Sequence, residues 1–249
     1  MRDPLLVTPP LGAEVTDRSP AAGDVTLFGH WICPYSVRVS FALAQRGIVH
    51  DVVDVPPTAA RPRGFVVPTE FVEHSPRGEI PMVRIGTEYR ADSLPILDWL
   101  EESFDGRSLL PTDEVGRALV RDRTMWIDAH VFAPMIGIYY GTDESRIADA
   151  SRSLAAGLAA MGEWLEESPW LAGPEPTVAE AAVIPVYVRL DALRRLGFTG
   201  PVDSRVAEHI TRCTALAGWD AVAWTDEQSN DFVGRFERYR VARRAQSQG

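Results

Sequence analysis

Hydrophobic and polar residues follow two different spacings along the chain, and the change between them separates two structural units. From residue 24 to about residue 103, short apolar runs that end at glycine or proline alternate with segments of helical periodicity. Beyond residue 113 the spacing is helical throughout. The pattern therefore predicts an α/β domain over residues 24–108 and an all-helical domain over residues 112–249, preceded by an irregular, proline-containing extension over residues 1–23.

The α/β domain is predicted to contain four strands and three helices. The strands are predicted at residues 25–28, 49–55, 80–85 and 88–91, and the helices at 34–46, 69–73 and 93–103. In the second domain, helices are predicted at 114–140 with a kink at Pro134, and at 146–167, 177–196, 204–217 and 231–244. The last of these segments contains an arginine-rich part over residues 235–244, which we interpret as a solvated helix face.

Composition restricts the partners and the chemistry that this chain can use. The net charge is -10, which argues against nucleic acid or an anionic membrane as a partner. All 25 basic residues are arginine, so chemistry that needs a lysine amine is excluded. The sequence also lacks zinc-ligand spacing, a dinucleotide-binding glycine motif and a Ser/His/Asp motif, so we expect no metal site.

Cysteine usage and the N-terminal sequence predict a cytoplasmic protein. The two cysteines, Cys33 and Cys213, lie far apart and do not suggest a disulfide framework. Such a pair is typical of a reducing, intracellular compartment. The first residues lack the pattern of a signal peptide, and no apolar run reaches the ~18 residues that a transmembrane helix needs.

The most informative segment contains a cysteine between a predicted strand and a predicted helix. Cys33 comes directly before Pro34, which is tolerated at the first helical position because its missing N–H would have no partner there. The free amides of the first helical turn favour an anionic sulfur over a neutral thiol. Cys33 is therefore a candidate nucleophile. The alternative is that it is a small buried hydrophobic residue.

Ser36 occupies the position at which a second cysteine would complete a C-x-x-C motif. No disulfide can form between these two positions, and Cys213 belongs to the helical domain. Chemistry at Cys33 therefore needs an external thiol. Ser36 is expected to donate a hydrogen bond to the Cys33 sulfur, and Tyr35 is a further candidate for contact with the bound thiol.

Four segments resemble motifs of the glutathione transferase superfamily, especially its cysteine-type, omega-like branch and the related glutaredoxins. They are C-P-Y-S at residues 33–36, S-P-R-G-E-I-P-M-V at 75–83, A-D-S-L-P-I-L-D-W-L-E at 91–101 and L-A-G-P-E-P-T-V-A-E-A at 171–181. The resemblance implies a thioredoxin-like α/β N-terminal domain, an all-α C-terminal domain and a homodimer.

The resemblance also implies how a thiol is bound. Pro81 corresponds to a cis-proline, and Ile80 before it pairs its backbone with the cysteinyl part of glutathione. Asp92 and Ser93 correspond to the residues that hold the γ-glutamyl end. Glu79 departs from the family pattern and would repel the glycyl carboxylate, so a different thiol such as mycothiol is an alternative to glutathione.

In the family that the sequence resembles, the first long helix of the second domain lines the pocket for an apolar co-substrate. Large side chains near Pro134 are the candidate pocket residues: Trp126, His130, Met135 and Tyr139. Helix packing or a dimer contact is the alternative for each. The segment 171–181 contains Thr177 and Glu180 at the spacing of a capping box, which is a structural signal.

Three functions are compatible with these residues. In the first, the Cys33 thiolate of a glutathione-dependent transferase or thiol oxidoreductase attacks a mixed disulfide or an electrophilic carbon. In the second, a thiol adds to a small hydrophobic electrophile and drives conjugation or double-bond isomerisation. In the third, the chain is a non-catalytic binding module, which Glu79 and the short side chain of Asp92 favour.

Overall fold

The computed structural model describes residues 24–247, and the extension predicted at residues 1–23 lies outside them. The first unit contains a four-stranded sheet with the order β2-β1-β3-β4. Its strands are β1 (Val25–Gly29), β2 (Asp51–Asp54), β3 (Met82–Ile85) and β4 (Glu88–Ala91). β1 pairs in parallel with β2 and antiparallel with β3, which confirms the predicted α/β class.

Three helices pack around this sheet: α1 (Pro34–Gln45), α2 (Thr69–His74) and α3 (Ser93–Ser103). β1 is buried along its whole length because its side chains enter two different cores. Val25 and Leu27 join the large core that includes α1 and α3, whereas Phe28 joins a smaller core with Phe71 of α2.

The second unit is helical. Its helices are α4 (Glu114–Ile127), α5 (Ala133–Tyr140), α6 (Glu144–Glu167), α7 (Val178–Val188), α8 (Leu190–Arg195), α9 (Ser204–Thr214) and α10 (Asp226–Ser247). The two units share the large apolar core because α1 packs against α7. Within residues 24–247, no helix has both the length and the apolar character needed to cross a membrane.

The kink expected at Pro134 is present as a π-helical turn over Asp128–Phe132, which joins α4 to α5. Pro134 has no N–H to donate to the carbonyl of His130, so a regular α-helical ladder cannot continue through this point. Helix α6 packs here through Gly157, where an alanine β-carbon would overlap the His130 carbonyl oxygen. The missing side chain of Gly157 therefore allows α6 to approach the turn.

The helix predicted at residues 177–196 divides into α7 and α8 at Arg189. The Arg189 backbone N–H donates to Val186, and its guanidinium donates to the Pro185 carbonyl at 2.9 Å, so the regular ladder ends. The predicted capping box at the start of α7 is confirmed, with Glu180 accepting a hydrogen bond from the Thr177 N–H at 2.6 Å.

Candidate functional site

A cavity of about 1090 Å³ is lined by residues of both units. The first unit contributes the start of α1, two loop segments and the start of α3, and the second contributes parts of the π-helical turn, α5 and α10. The residues predicted to bind the thiol all line this cavity: Cys33, Tyr35, Ile80, Pro81, Asp92 and Ser93. The fold therefore brings them together, and their individual roles stay predictions.

Cys33 is the N-cap residue of α1. It is 6% exposed, and its sulfur donates to the carbonyl oxygen of Ile80 at 3.8 Å. The first turn of a helix leaves amides without intrahelical acceptors, and since Pro34 has no N–H, these amides belong to Tyr35 and Ser36. The sulfur thus lies at the positive end of the α1 dipole and on the cavity wall, although its other neighbours are apolar.

Two backbone features shape the cavity wall near Cys33. The Ile80–Pro81 peptide bond is cis, as the resemblance implies. Asp92 is the N-cap of α3 and has a φ of 69°, which few residues other than glycine adopt. Ser93 then begins α3. Asp92 and Ser93 therefore present a carboxylate and a helix N-terminus to the same cavity.

Arg77 lies between two carboxylates at the cavity. Its Nε donates to Glu79 at 3.2 Å, and its Nη2 pairs with Asp92. All three side chains are more than half exposed, so water and salt weaken these ion pairs. Arg77 nevertheless offsets part of the charge of Glu79, the residue that departs from the family pattern.

The hydrogen bond predicted from Ser36 to the Cys33 sulfur is absent from the structure. Ser36 is buried, and its Oγ has no hydrogen-bond partner among residues 24–247. The hydroxyl packs instead against Gly29 of β1, where a β-carbon would lie 3.1 Å from Ser36 Oγ. Ser36 therefore occupies the side of α1 that faces the sheet, and a catalytic role for it stays a prediction without a contact to support it.

A second set of cavity residues is aromatic. These rings belong to α1, α5 and α10: Tyr35, Tyr139, Tyr140, Phe232, Phe236 and Tyr239. Burial raises the pKa of Tyr139 and of Tyr140, so both hydroxyls stay protonated at neutral pH. This part of the wall can hold an apolar molecule and donate hydrogen bonds to it.

Three of the four predicted pocket residues do not line the cavity: Trp126, His130 and Met135. Met135 is fully buried in the core, and Trp126 packs edge-on against Trp164 of α6 with 4.8 Å between ring centroids. His130 packs on Trp126 because residues four apart share a helix face. Asp128 is two residues away from both Trp126 and His130, so its side chain lies on the other side of the helix. It lines the cavity.

The interpretation of residues 235–244 as a solvated helix face is wrong for one side of α10. Phe232, Phe236 and Tyr239 line the cavity together with Arg235 and Arg238. The three rings follow at intervals of four and three residues, which is the spacing of a single helix face. That aromatic stripe among arginines is the sequence signal that could have identified this wall.

Arg38 and Asp128 form an ion pair on the cavity wall, and both were missing from the sequence-based candidates. The Arg38 side chain is fully buried, whereas that of Asp128 is 32% exposed. Burial lowers the pKa of Arg38, and the Asp128 carboxylate partly opposes this change. An arginine between Val37 and Val39, inside an apolar helix, is the signal that could have identified the pair.

Two side chains hold the turn that precedes Cys33. Arg189 is fully buried and donates to the carbonyl oxygens of Ile32 at 3.1 Å and Trp31 at 3.5 Å. Burial lowers the pKa of Arg189 to about 10, which leaves it protonated at neutral pH. From the other side, His30 Nδ1 accepts a hydrogen bond from the Ile32 N–H at 3.1 Å.

Neither a metal cluster nor a disulfide is present near these residues. In the described part of the chain, no group of three or more His, Cys, Asp or Glu side chains is arranged to hold a metal ion. Cys33 and Cys213 are both free and buried. Burial raises the pKa of the Cys213 thiol strongly, so this sulfur stays protonated and unreactive.

Sequence comparison shows that this chain is similar to glutathione S-transferases. Residues 32–103 match the family model described as glutathione S-transferase, N-terminal domain. A glutathione S-transferase of Pseudomonas putida is 28% identical over 160 residues, which cover 62% of this chain and 69% of the relative. A maleylacetoacetate isomerase of Rhizobium meliloti is 28% identical over 176 residues, which cover 66% of this chain and 80% of the relative.

The fold is also similar to solved structures. The structure of rice GST1 in complex with glutathione superposes with a TM-score of 0.76 at 19% identity, over 88% of this chain and 98% of that chain. At 19% identity, this similarity is evidence for the fold alone. It confirms the predicted arrangement of a thioredoxin-like unit followed by an all-helical unit.

Proposed function

We propose that this chain, whose residues 32–103 match the N-terminal domain of glutathione S-transferases, is a glutathione-dependent transferase whose nucleophile is Cys33. The observation that carries the proposal is the position of Cys33, which caps α1 on the wall of the cavity that Ile80, Pro81, Asp92 and Ser93 also line. The amides that open α1 can donate to an anionic sulfur, so they favour the thiolate.

The cavity residues fit glutathione as the thiol substrate. The Asp92 carboxylate can pair with the γ-glutamyl ammonium, and Ser93 with the α3 amides can bind the γ-glutamyl carboxylate. The Ile80 backbone can pair with the extended cysteinyl unit. Since Arg77 offsets Glu79, the glycyl carboxylate meets less repulsion than the sequence suggests. These residues and the relatives named for glutathione favour it over mycothiol.

In the proposed thiol-transfer reaction, the Cys33 thiolate attacks a mixed disulfide between glutathione and the co-substrate. An S–S bond forms between Cys33 and glutathione, the original S–S bond breaks, and the co-substrate leaves as a thiolate that takes up a proton. A second glutathione thiolate then attacks this disulfide, which releases oxidised glutathione and restores Cys33. An external thiol is needed because Ser36 replaces a resolving cysteine and Cys213 is buried in the helical unit.

Conjugation or double-bond isomerisation is the second candidate. The similarity to a maleylacetoacetate isomerase and the aromatic residues of the cavity favour it. In this reaction the amides that open α1 stabilise the thiolate of bound glutathione, which adds to a conjugated carbon of the apolar substrate. Cys33 is then not the nucleophile.

Replacing Cys33 distinguishes the two candidates. We expect Cys33→Ser to lower glutathione-dependent reduction of a small disulfide by about a hundredfold or more, because a serine hydroxyl is a far weaker nucleophile than a thiolate. Intact-protein mass spectrometry after incubation with oxidised glutathione should show one adduct on the wild type and none on Cys33→Ser. Cys213→Ser is the matched control and should behave as the wild type does.

The outcome of this experiment can also contradict the proposal. Unchanged conjugation by Cys33→Ser together with no adduct on the wild type would favour the second candidate. Glutathione binding by calorimetry without any turnover would instead indicate the non-catalytic binding module. The homodimer and the cytoplasmic location that the sequence implies stay predictions.

A further inference from the structure

The guanidinium of Arg38 has too few hydrogen-bond partners for its burial. Within residues 24–247 its side-chain hydrogen bonding is limited to the contact from Nη2 to Asp128. Nε and Nη1 have no partner in that part of the chain. A guanidinium carries five N–H donors, and buried donors are normally satisfied by protein, water or a ligand. Arg38 therefore needs acceptor atoms that the chain itself does not supply.

The cavity can supply these acceptors because Arg38 is part of its wall. The Phe132 ring covers one face of the guanidinium, with 3.8 Å from Arg38 Cζ to the ring centroid. Hydrogen bonds from a guanidinium lie in its plane, so this stacking leaves the in-plane N–H donors of Nε and Nη1, which point to different sides of the group, without an acceptor. Tyr35, 5.7 Å from Cζ, lines the cavity beside it.

Charge and position favour an anionic acceptor. Asp128 is 32% exposed, so water screens its charge, whereas the Arg38 charge is fully buried and less screened. Arg38 follows Cys33 by five residues on α1, which corresponds to about 7.5 Å along the helix axis. Cys33 and Arg38 both line the cavity, so one bound molecule can lie against both residues.

We infer that Arg38 binds a carboxylate of the electrophilic co-substrate. The inference rests on the proposed function, because it takes the cavity to hold glutathione and a co-substrate together. It narrows the substrates to small apolar or aromatic electrophiles that carry a carboxylate. Asp128 orients the guanidinium through Nη2 and leaves Nε and Nη1 to the ligand.

Two glutathione conjugates that differ in one group provide the test: S-(4-carboxybenzyl)glutathione and S-(4-carbamoylbenzyl)glutathione. Isothermal calorimetry should show that the wild type binds the carboxylate conjugate about tenfold or more tightly than the amide, since charge-assisted hydrogen bonds to a guanidinium are stronger than neutral ones. Arg38→Met should remove this preference and leave the affinity for the amide within about twofold.

Two further variants control for charge and for folding. Asp128→Asn keeps Arg38 and removes the competing carboxylate, so the preference for the carboxylate conjugate should increase severalfold. Arg238→Met removes an exposed arginine that also lines the cavity, and its preference should remain that of the wild type.

Three other outcomes would overturn the assignment of Arg38 as the carboxylate site. Equal binding of both conjugates by the wild type, an equal loss for both in Arg38→Met, or a loss of preference in Arg238→Met alone shows that Arg38 is not the carboxylate site. If Arg38→Met does not fold, a reduced preference in Asp128→Asn has the same meaning. If the wild type binds neither conjugate, the proposed function fails first, and the assignment fails with it.

Discussion

Two fully buried arginines approach Cys33 from different parts of the molecule. Arg38 extends from α1 to Asp128, and Arg189 extends from the junction of α7 and α8 to the carbonyl of Ile32. Among the described residues, Arg38 has a carboxylate partner and Arg189 has none. Carbonyl dipoles and aromatic faces surround the Arg189 charge without neutralising it, and its Nε has no partner among the described residues, so it can also stabilise an anion at the neighbouring cysteine.

At the residue scale, Arg189→Met is expected to slow the alkylation of Cys33 by iodoacetamide at pH 7 by about threefold to tenfold. The reason is that the buried guanidinium interacts electrostatically with Cys33 and stabilises negative charge on the sulfur as it attacks the reagent. The alkylation rate should be measured at pH 7 in a Cys213→Ser background, where Cys33 is the remaining thiol. The charged or titratable neighbours that remain are Tyr35, Arg38, Tyr139 and Tyr140.

Arg240 offers a matched control for this prediction. Its Nη2 also donates to two carbonyl oxygens, Ile138 at 2.6 Å and Leu196 at 2.9 Å, but both lie in the helical unit. Arg240→Met should therefore destabilise the fold without slowing the alkylation of Cys33. An equal decrease in both variants, or an unchanged rate in Arg189→Met, would contradict a specific role for Arg189.

At the element scale, the π-helical turn and Gly157 form one packing unit. The turn is present because Pro134 removes an N–H, and α6 fits against it because Gly157 has no side chain. The same turn positions Asp128 on the cavity wall and Trp126 on the opposite side. The geometry of the candidate site thus depends on the junction of α4 and α5.

Gly157→Ala tests this dependence. The added β-carbon would overlap the His130 carbonyl, and backbone cannot move aside easily, so we expect a loss of about 2 kcal/mol or more in the free energy of unfolding. Urea denaturation followed by circular dichroism measures it. Gly234→Ala in α10 is the control, because its nearest atom is the flexible end of Arg238 at 3.2 Å. A stable Gly157→Ala protein would show that the two helices can separate at little cost.

Sequence patterns predicted those elements whose shape depends on nearby residues. The bounds of α3 (Ser93–Ser103) and the capping box of Thr177 and Glu180 follow from local chemistry, and both were predicted. The break at Arg189 was not, because it depends on a guanidinium that bonds the Pro185 carbonyl and the turn before Cys33. Periodicity does not report such distant contacts.

At the scale of the whole molecule, short sequence motifs account for one part of the cavity wall and tertiary packing accounts for the other. The residues predicted to bind the thiol lie in short motifs of the first unit, and all of them line the cavity. The residues that α10 contributes are separated from Cys33 by nearly the whole chain, so their arrival at the cavity depends on tertiary packing alone. Asp128 was missed for the same reason.

Phe236→Ala tests the assignment of the aromatic wall. Phe236 lies on α10 and lines the cavity, with its ring centroid 4.6 Å from that of Tyr139. We expect the affinity for S-benzylglutathione to fall about tenfold, since a large apolar contact is lost, while the affinity for glutathione stays within about twofold. Calorimetry with both ligands gives the two values. An equal decrease for both ligands would mean that α10 supports the whole cavity and not one part of it.

The contribution of α10 to the cavity has a consequence for how such a protein can diversify. The helix is one continuous segment, and the motifs around Cys33, Pro81 and Ser93 lie in a separate stretch of the chain. Under the proposed function, exchange of this one segment between homologues would alter which acceptors are admitted and leave the residues proposed to bind the donor thiol unchanged.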